Sequence, residues 1–407
     1  VATLGLAAGT AAVATSAPRA LEATTPLRYW DTRAFDDGSK TSPDGKLGIA
    51  IGGTATLDNF PAGADPIPAD AEAVFVNVTA VDANEPGFVS VYPESRAGSQ
   101  LDFIPTTSNL NIDTAGQTIA NTAIVPLGAY DFPEEFDDFL GEFDGDFDDL
   151  ADFSLLTGVI VHTSMNTHIL VDVLGYVPAG SDYISIPLTR ALDTRARGGA
   201  SAEQRFDVDV IDDFGPADAT LAIMNITLVD SEGPGFVTAW PGGEEQPGTS
   251  NLNVDGVGQT RAGLAIVPIG PGGEVSVVSS TGGELLLDVL GYFGVASGFT
   301  GLEPFDRVFD SRPGRVNGTT NVVVTDSPDV PDAAEFVLVN VTAVDAAAAG
   351  FISVWPGGGG QPDSSNLNYT AGGTIANTVL VPLGDDGSID IYTDAEIALL
   401  VDVIGYL

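Results

Sequence analysis

From Phe336 to Val344 the chain alternates with a period of two. Val337, Val339, Val341 and Ala343 share one face of an extended segment, and Leu338, Asn340 and Thr342 share the other. Runs of this kind, short and rich in Val, Ile and Thr, recur along the whole sequence. They are bounded by Gly, Pro, Asn and Asp, the punctuation of strands and turns. The pattern predicts an all-β protein whose units each hold about seven or eight short antiparallel strands folded as a β-sandwich, with a β-barrel as the alternative.

The runs are ordered by an internal repeat. The last copy reads Arg307-Val-Phe-Asp310-Ser-Arg312, Asn340-Val-Thr342, Gly350-Phe-Ile, Ser365-Asn-Leu-Asn368, Val381-Pro-Leu-Gly384 and Val401-Asp402-Val-Ile-Gly-Tyr406. The middle copy repeats the order from Arg190, Asp193 and Arg195 through Asn225, Gly235 and Ser250 to Asp288 and Tyr292. The first copy does so from Arg28, Asp31 and Arg33 through Asn77, Gly87 and Ser108 to Asp172 and Tyr176. Landmarks in one order, three times over, predict three tandem domains. The expected division is a lead-in at 1–26, then copies at 27–177, 183–293 and 303–407. Each copy is long enough to bury its own core and too long for a solenoid repeat. The short linkers predict a compact or rod-like array. The first copy carries insertions near 34–59, 94–105 and 130–153, where loops diversify contacts.

These combined motifs resemble a tandem repeat module of secreted and cell-surface proteins of actinobacteria, often found beside a hydrolase or peptidase domain. The resemblance covers nearly the whole chain after residue 26. It implies a surface location and a repeat architecture, and it brings no catalytic residues with it. No enzyme-sized domain accompanies the repeats here.

Charge changes the picture more than length does. The chain has 57 acidic and 14 basic residues, a net charge of −43, and only two lysines, Lys40 and Lys46. Such a surface repels phosphate backbones and argues against nucleic-acid partners. With 44% hydrophobic residues the chain is expected to fold, with a strongly hydrated acidic exterior of the kind salt-adapted proteins have. Cysteine is absent, so neither disulfides nor thiol chemistry enter. The stretch Leu4 to Ala17 is apolar and small, with Ala12-Val13-Ala14 as a cleavage site, and reads as the end of a signal peptide. It is too short for a membrane span, so the expected mature chain is secreted without one.

Candidate chemistry is sparse. Asp144-Gly-Asp146-Phe-Asp148 resembles the start of an EF-hand loop, which makes these three carboxylates candidate calcium ligands. The loop then departs, with Asp149 at its sixth position and Leu155 at its twelfth, so a solvated acidic face is the competing reading. Phenylalanines 132, 136, 139, 143 and 147 recur at helical spacing in the same insertion and could pack on their own domain or on another subunit. His162 and His168 are the only histidines, without a nucleophile motif or metal-ligand spacing, and read as structural. Tyr92, Trp240 and Trp355 occupy one repeat position before Pro, where an aromatic could stack on a sugar or close the end of the sandwich. The paired asparagines 109/111, 251/253 and 366/368 could contact sugars, though tying neighbouring loops is the favoured role. Asn77, Asn225 and Asn340 sit in Asn-x-Thr sequons inside predicted strands, which points to side-chain hydrogen bonding.

Each closing strand carries one acid, Asp172, Asp288 or Asp402, in an otherwise apolar run. A buried carboxylate needs a partner, and Arg33, Arg195 and Arg312, or else the first arginine of each motif, are expected to supply it. Together these readings point to a non-enzymatic, salt-adapted structural or adhesion protein of the cell surface, partnered by itself in a filament or lattice. A carbohydrate- or cell-wall-binding module is the alternative, with cell-wall polysaccharide as partner, and a hydrolase the distant one. No cofactor is expected beyond the candidate calcium. If the acidic exterior is a salt adaptation, added NaCl should raise the thermal unfolding midpoint toward molar concentrations by screening self-repulsion, as circular dichroism melts in a salt series would show.

Overall fold

The central strand of each copy is apolar on both faces because both faces are covered. In the computed structural model, described for residues 21–34, 40–41, 45–50, 67–68, 70–93, 108–129, 157–211 and 215–407, one face of Phe336–Val344 points into the core of its own copy. Val337, Val339, Val341 and Ala343 lie there. Phe336 and Leu338, on the opposite face, enter a separate apolar cluster shared by all three copies. Phe75 of the first copy and Leu221 and Ile223 of the second do the same.

Each copy is two antiparallel four-stranded sheets. In the second, one sheet has the order Tyr183–Asp193, Glu284–Gly294, Ala219–Val229, Arg261–Pro268. The other has the order Arg205–Asp209, Glu274–Ser279, Gly235–Pro241, Leu252–Val254. Numbered along the copy, the strands run 1-8-3-6 in one sheet and 2-7-4-5 in the other, which is the jelly-roll order. The first copy repeats it, with Gly128–Ala129 added beside Thr157–Thr163. In the third, strands seven and eight are one continuous strand, Ser388–Tyr406. Its first half pairs with Val316–Val323 and Gly350–Pro356, and its second half with Thr300–Asp310 and Phe336–Val344. The core between the sheets is filled by Val, Ile, Leu and Ala from both, as alternation requires. The chain is thus all-β with antiparallel, sandwich-like sheets.

The sheet with order 1-8-3-6 faces inward in every copy. The cluster between copies contains Phe75, Ile124 and Leu174 from the first, Ile223, Ile266 and Phe293 from the second, and Leu338, Leu380 and Ile404 from the third. The sixth strands, Ile119–Pro126, Arg261–Pro268 and Ile375–Pro382, each touch the other two. The array is therefore closed around a pseudo-threefold axis, compact and not rod-like.

That closure also corrects the expected domain boundaries. Leu21, Tyr183 and Phe299 occupy one position at the head of the opening strand, and all three are buried in the central cluster. The first copy therefore begins by Leu21, not at 27, and the third by Phe299, not at 303, because these residues plug the middle of the molecule. The glycine before the last tyrosine has a related cause. A Cβ on Gly175, Gly291 or Gly405 would lie 2.4–2.6 Å from the carbonyl oxygens of Glu22, Ile184 and Thr300, so only glycine lets the opening strand approach.

Because the central cluster draws on all three copies, they should melt together. Phe75→Ala is expected to cost ~3–5 kcal/mol, the range for deleting a buried phenyl ring. Calorimetry should show one transition moved to lower temperature, and a first copy melting apart from the other two would contradict the shared core.

Candidate functional site

The residues repeated in every copy meet in a single row across the inward sheet. Arg28 on the opening strand is directly opposite Asp172, Asp172 is opposite Asn77, and Asn77 is opposite Thr122. In the second copy the row is Arg190, Asp288, Asn225 and Leu264, and in the third Arg307, Asp402, Asn340 and Thr378. Side chains opposite one another across neighbouring strands share a face, so one register sets all three contacts of a row. Each row starts at partly exposed arginine and ends at the axis.

The closing aspartates are 1–2% exposed, and each is held by a two-pronged guanidinium. Arg28 Nε donates to Asp172 Oδ1 at 2.5 Å and Nη2 to Oδ2 at 3.3 Å. Arg190 and Arg307 each donate at 2.7 and 3.0 Å to Asp288 and Asp402. The partner is thus the first arginine of the motif, which corrects the pairing expected for Arg33, Arg195 and Arg312. Those three lie past the end of the strand, where they cannot face the closing strand. Each instead bonds the aspartate two residues earlier, with Nη2 at 2.6 Å from Asp31, Asp193 or Asp310. The same aspartates accept the backbone N–H of Arg33, Arg195 and Arg312, so this pair fastens the turn.

Burial pushes the Asp172 carboxyl up to about 6, against the pull of the Arg28 guanidinium. It pushes Asp288 and Asp402 up as well. Hydrogen bonds from Arg195 and Arg312 hold the more exposed Asp193 and Asp310 down at about 2.

The Asn of each Asn-x-Thr triplet reaches across a seam. Asn77 Nδ2 donates to the Ser365 carbonyl of the third copy at 2.6 Å, Asn225 to Ser108 of the first at 3.0 Å, and Asn340 to Ser250 of the second at 2.7 Å. The three bonds close a cycle. Ser-Asn-Leu-Asn is the receiving motif, and every member of it has a place. The serine carbonyl accepts the neighbour's Asn. Asn109, Asn251 and Asn366 accept the backbone N–H of Val91, Ala239 and Val354. The leucine enters the core. Asn111, Asn253 and Asn368 accept from the serine hydroxyl.

At the axis the copies differ. Asn377 Nδ2 donates to Asn77 Oδ1 at 3.2 Å and to the Asn366 carbonyl at 2.6 Å, while its own oxygen accepts the Thr122 N–H. Asn121, the equivalent residue of the first copy, donates to the carbonyls of Asn109 and Ala262. In the second copy the position is Gly263, and across that seam the buried Asn340 Oδ1 has no hydrogen-bond partner among the described residues. Further out, Asp113 bonds Arg261 and the Thr260 N–H, and Asp255 accepts the Thr374 N–H at 2.5 Å. Thr370 replaces this aspartate in the third copy. There Arg28 Nη2 instead reaches the Asp363 carbonyl at 3.3 Å.

The other expected sites fare differently. Tyr92, Trp240 and Trp355 are buried, which corrects their reading as sugar-stacking residues, since a stacking ring needs an open face. Trp240 and Trp355 donate Nε1–H to the carbonyls of Glu244 and Gly359, and the Arg205 guanidinium lies over the Trp240 ring at 5.2 Å. They close the sandwich end. His162 is buried beside the Phe88 ring, and His168 Nδ1 lies 3.3 Å from the Thr32 hydroxyl. Asp144, Asp146 and Asp148, with the whole acidic and aromatic insertion, lie outside the described residues. Among the described residues no group of three or more His, Cys, Asp or Glu could hold a metal ion. What sequence reasoning missed is the seam. Its signal was the apolar residues flanking Asn340 on a strand face that an isolated sandwich would leave wet.

No family model and no curated protein matches the chain. Structural likenesses are slight. A chain from "The Triple Jelly Roll Fold and Turret Assembly in an Archaeal Virus" aligns over 95% of this chain and 90% of its own length, at 11% identity and a TM-score of 0.21. One from "Life in the extremes: atomic structure of Sulfolobus Turreted Icosahedral Virus" aligns over 95% and 91%, at 11% identity and a TM-score of 0.17. A Paenibacillus xanthan lyase aligns over 62% of this chain and 30% of its own, at 14% identity and a TM-score of 0.14. Likenesses this weak carry no argument about what the chain does.

The row and the axis each make a prediction. The folded-state value of Asp172 lies above the ordinary 3.8, so between the two the folded protein holds a proton that the unfolded chain has lost. Stability should therefore fall as pH rises from about 4 to about 6, and the loss is complete above that window. Asp172→Asn should flatten this part of a urea-denaturation series, and an unchanged slope would place the titration elsewhere. At the axis, a Cβ on Gly263 would have ordinary space except for Leu252 Cδ1 at 3.2 Å. Gly263→Asn should satisfy Asn340 and raise stability by on the order of 1 kcal/mol. Gly263→Ala, which gains only chain stiffness, should recover less in the same denaturation assay.

Proposed function

We propose that the chain is a secreted, non-enzymatic structural or adhesion protein of a cell surface, adapted to salt. The observation that carries this reading is where the repeated polar residues go. The arginines, aspartates and asparagines common to all copies bond one another, the backbone or the neighbouring copy, and so maintain the body. Residues kept for a substrate would instead converge on a cleft with polar groups left over. The acidic exterior supports the same reading, because an excess of carboxylates keeps a protein hydrated and dispersed in brine.

A sugar-binding reading loses its support with the burial of Trp240 and Trp355. The test is immunogold labelling of whole cells, with negative-stain microscopy of the native material. Label along the envelope, with ordered assemblies in stain, is the expected result. Label confined to the cytoplasm would overturn the surface reading. Hydrolytic turnover lost on joint substitution of His162 and His168 would overturn the non-enzymatic one.

A further inference from the structure

Five Asn-x-Thr triplets occur in the chain, at Asn77, Asn225, Asn317, Asn340 and Asn368. Three of them are fully buried and spend their amides across the seams. Asn368 is half-buried and accepts from the Ser365 hydroxyl, while Tyr369 beside it is in the core. Asn317 is unlike the others. Its side chain and that of Thr319 are both exposed, on the same face of Val316–Val323. Among the described residues that strand pairs only with Ser388–Tyr406, which leaves its other edge unpaired there. Between Val316 and Gly318 the register skips from Ile397 to Thr393, so the extra residues belong to the partner strand and Asn317 has no paired residue opposite it; Gly318 beside it has a φ of 82°. A transferase can approach an unpaired edge residue without unzipping a sheet.

The triplet is not demanded by the repeat. Thr319 pairs with Tyr392 where, in the second copy, Arg205 pairs with Val278, and the matching stretch there is Glu203-Gln204-Arg205. Asn77, Asn225 and Asn340 recur because the fold uses them, whereas Asn317 has no Asn-x-Thr counterpart in the other copies and, among the described residues, no partner in the core.

We propose that Asn317 is an N-glycosylation site, and that the donor is a lipid-pyrophosphate-linked oligosaccharide. In the step, Asn317 Nδ2 forms a bond to C1 of the first sugar as the bond from C1 to the pyrophosphate oxygen breaks. The amide gives up one proton to a base of the transferase, and the lipid pyrophosphate leaves. No oxidant or reductant is needed. The proposal rests on the export reading, since the donor and its transferase work outside the cytoplasm. A glycan here would stand off an edge strand, where unpaired backbone groups otherwise invite pairing with another chain.

Two measurements separate the site from the export. The purified folded full chain is incubated with an oligosaccharyltransferase and its lipid-pyrophosphate-linked oligosaccharide, then examined by intact mass and peptide mapping. One glycan on the peptide that follows Arg315, and none at Asn77, Asn225 or Asn340, is expected. Asn317→Gln should abolish the added mass while leaving the melting curve unchanged, as an exposed edge position should. No added mass while a control acceptor peptide is modified, or a glycan on another asparagine, would overturn the proposal. The second measurement is peptide mapping of native material from the envelope fraction. A modified Asn317 there supports the proposal, and protein present in that fraction with Asn317 bare overturns it. Absence of the protein from that fraction counts against export, and the transferase assay then decides the site alone.

Discussion

The buried carboxylate of the closing strand is the constraint on which the rest of the molecule turns. Asp172, Asp288 and Asp402 lie in the middle of apolar sheets, where an unpaired charge would cost several kcal/mol. The guanidinium opposite each one fixes the register of the opening strand, because a slip of one residue would put the arginine on the wrong face. The asparagine on the other side of each aspartate is aligned by that same register and projects across the seam. One buried acid thus ties the first strand to the last within a copy and aims the hydrogen bond that joins one copy to the next.

The three seams are built to one plan with unequal fittings. The seam between the first and third copies has the full asparagine exchange at the axis and lacks the outer aspartate clamp. That between the first and second has the clamp, strengthened by Arg261. The one between the second and third keeps the Asp255 bond and loses an axial partner to Gly263. In a ring of three identical subunits every such difference would appear three times over. In a single chain each seam can lose a bond separately, because the other two seams and the covalent links keep the copies at high effective concentration.

Strands, sandwich and repeat were legible because they rest on local alternation and on landmarks that recur in order. Boundaries were less so. Leu21 and Phe299 look like lead-in and linker in the sequence, and only the assembled centre shows what they plug. The choice between the two arginines was also out of reach. Both carry the same charge near the same turn, and what separates them is register, with Arg28 inside the strand and Arg33 beyond its end. The tryptophans before Pro were left between two roles for a similar reason, since a strand end beside a loop is equally a rim for a ligand and a lid for a core, and Trp240 takes the second role through Glu244 and Arg205.

The way the few cations are used explains how a chain of net charge −43 keeps a closed shape. At least ten of the 14 basic residues make ion pairs with carboxylates of this same chain, six of them in the opening motifs. Little positive charge is left to balance the exterior, so the lobes present like charges to one another and to solvent. What opposes that repulsion is mainly the apolar cluster at the axis and the buried asparagine bonds, neither of which weakens as salt rises, with the Arg261–Asp113 ion pair added across one seam. Screening by salt weakens chiefly the repulsion. The closed three-lobed arrangement is therefore held mostly by interactions indifferent to ionic strength and opposed by one that is sensitive to it.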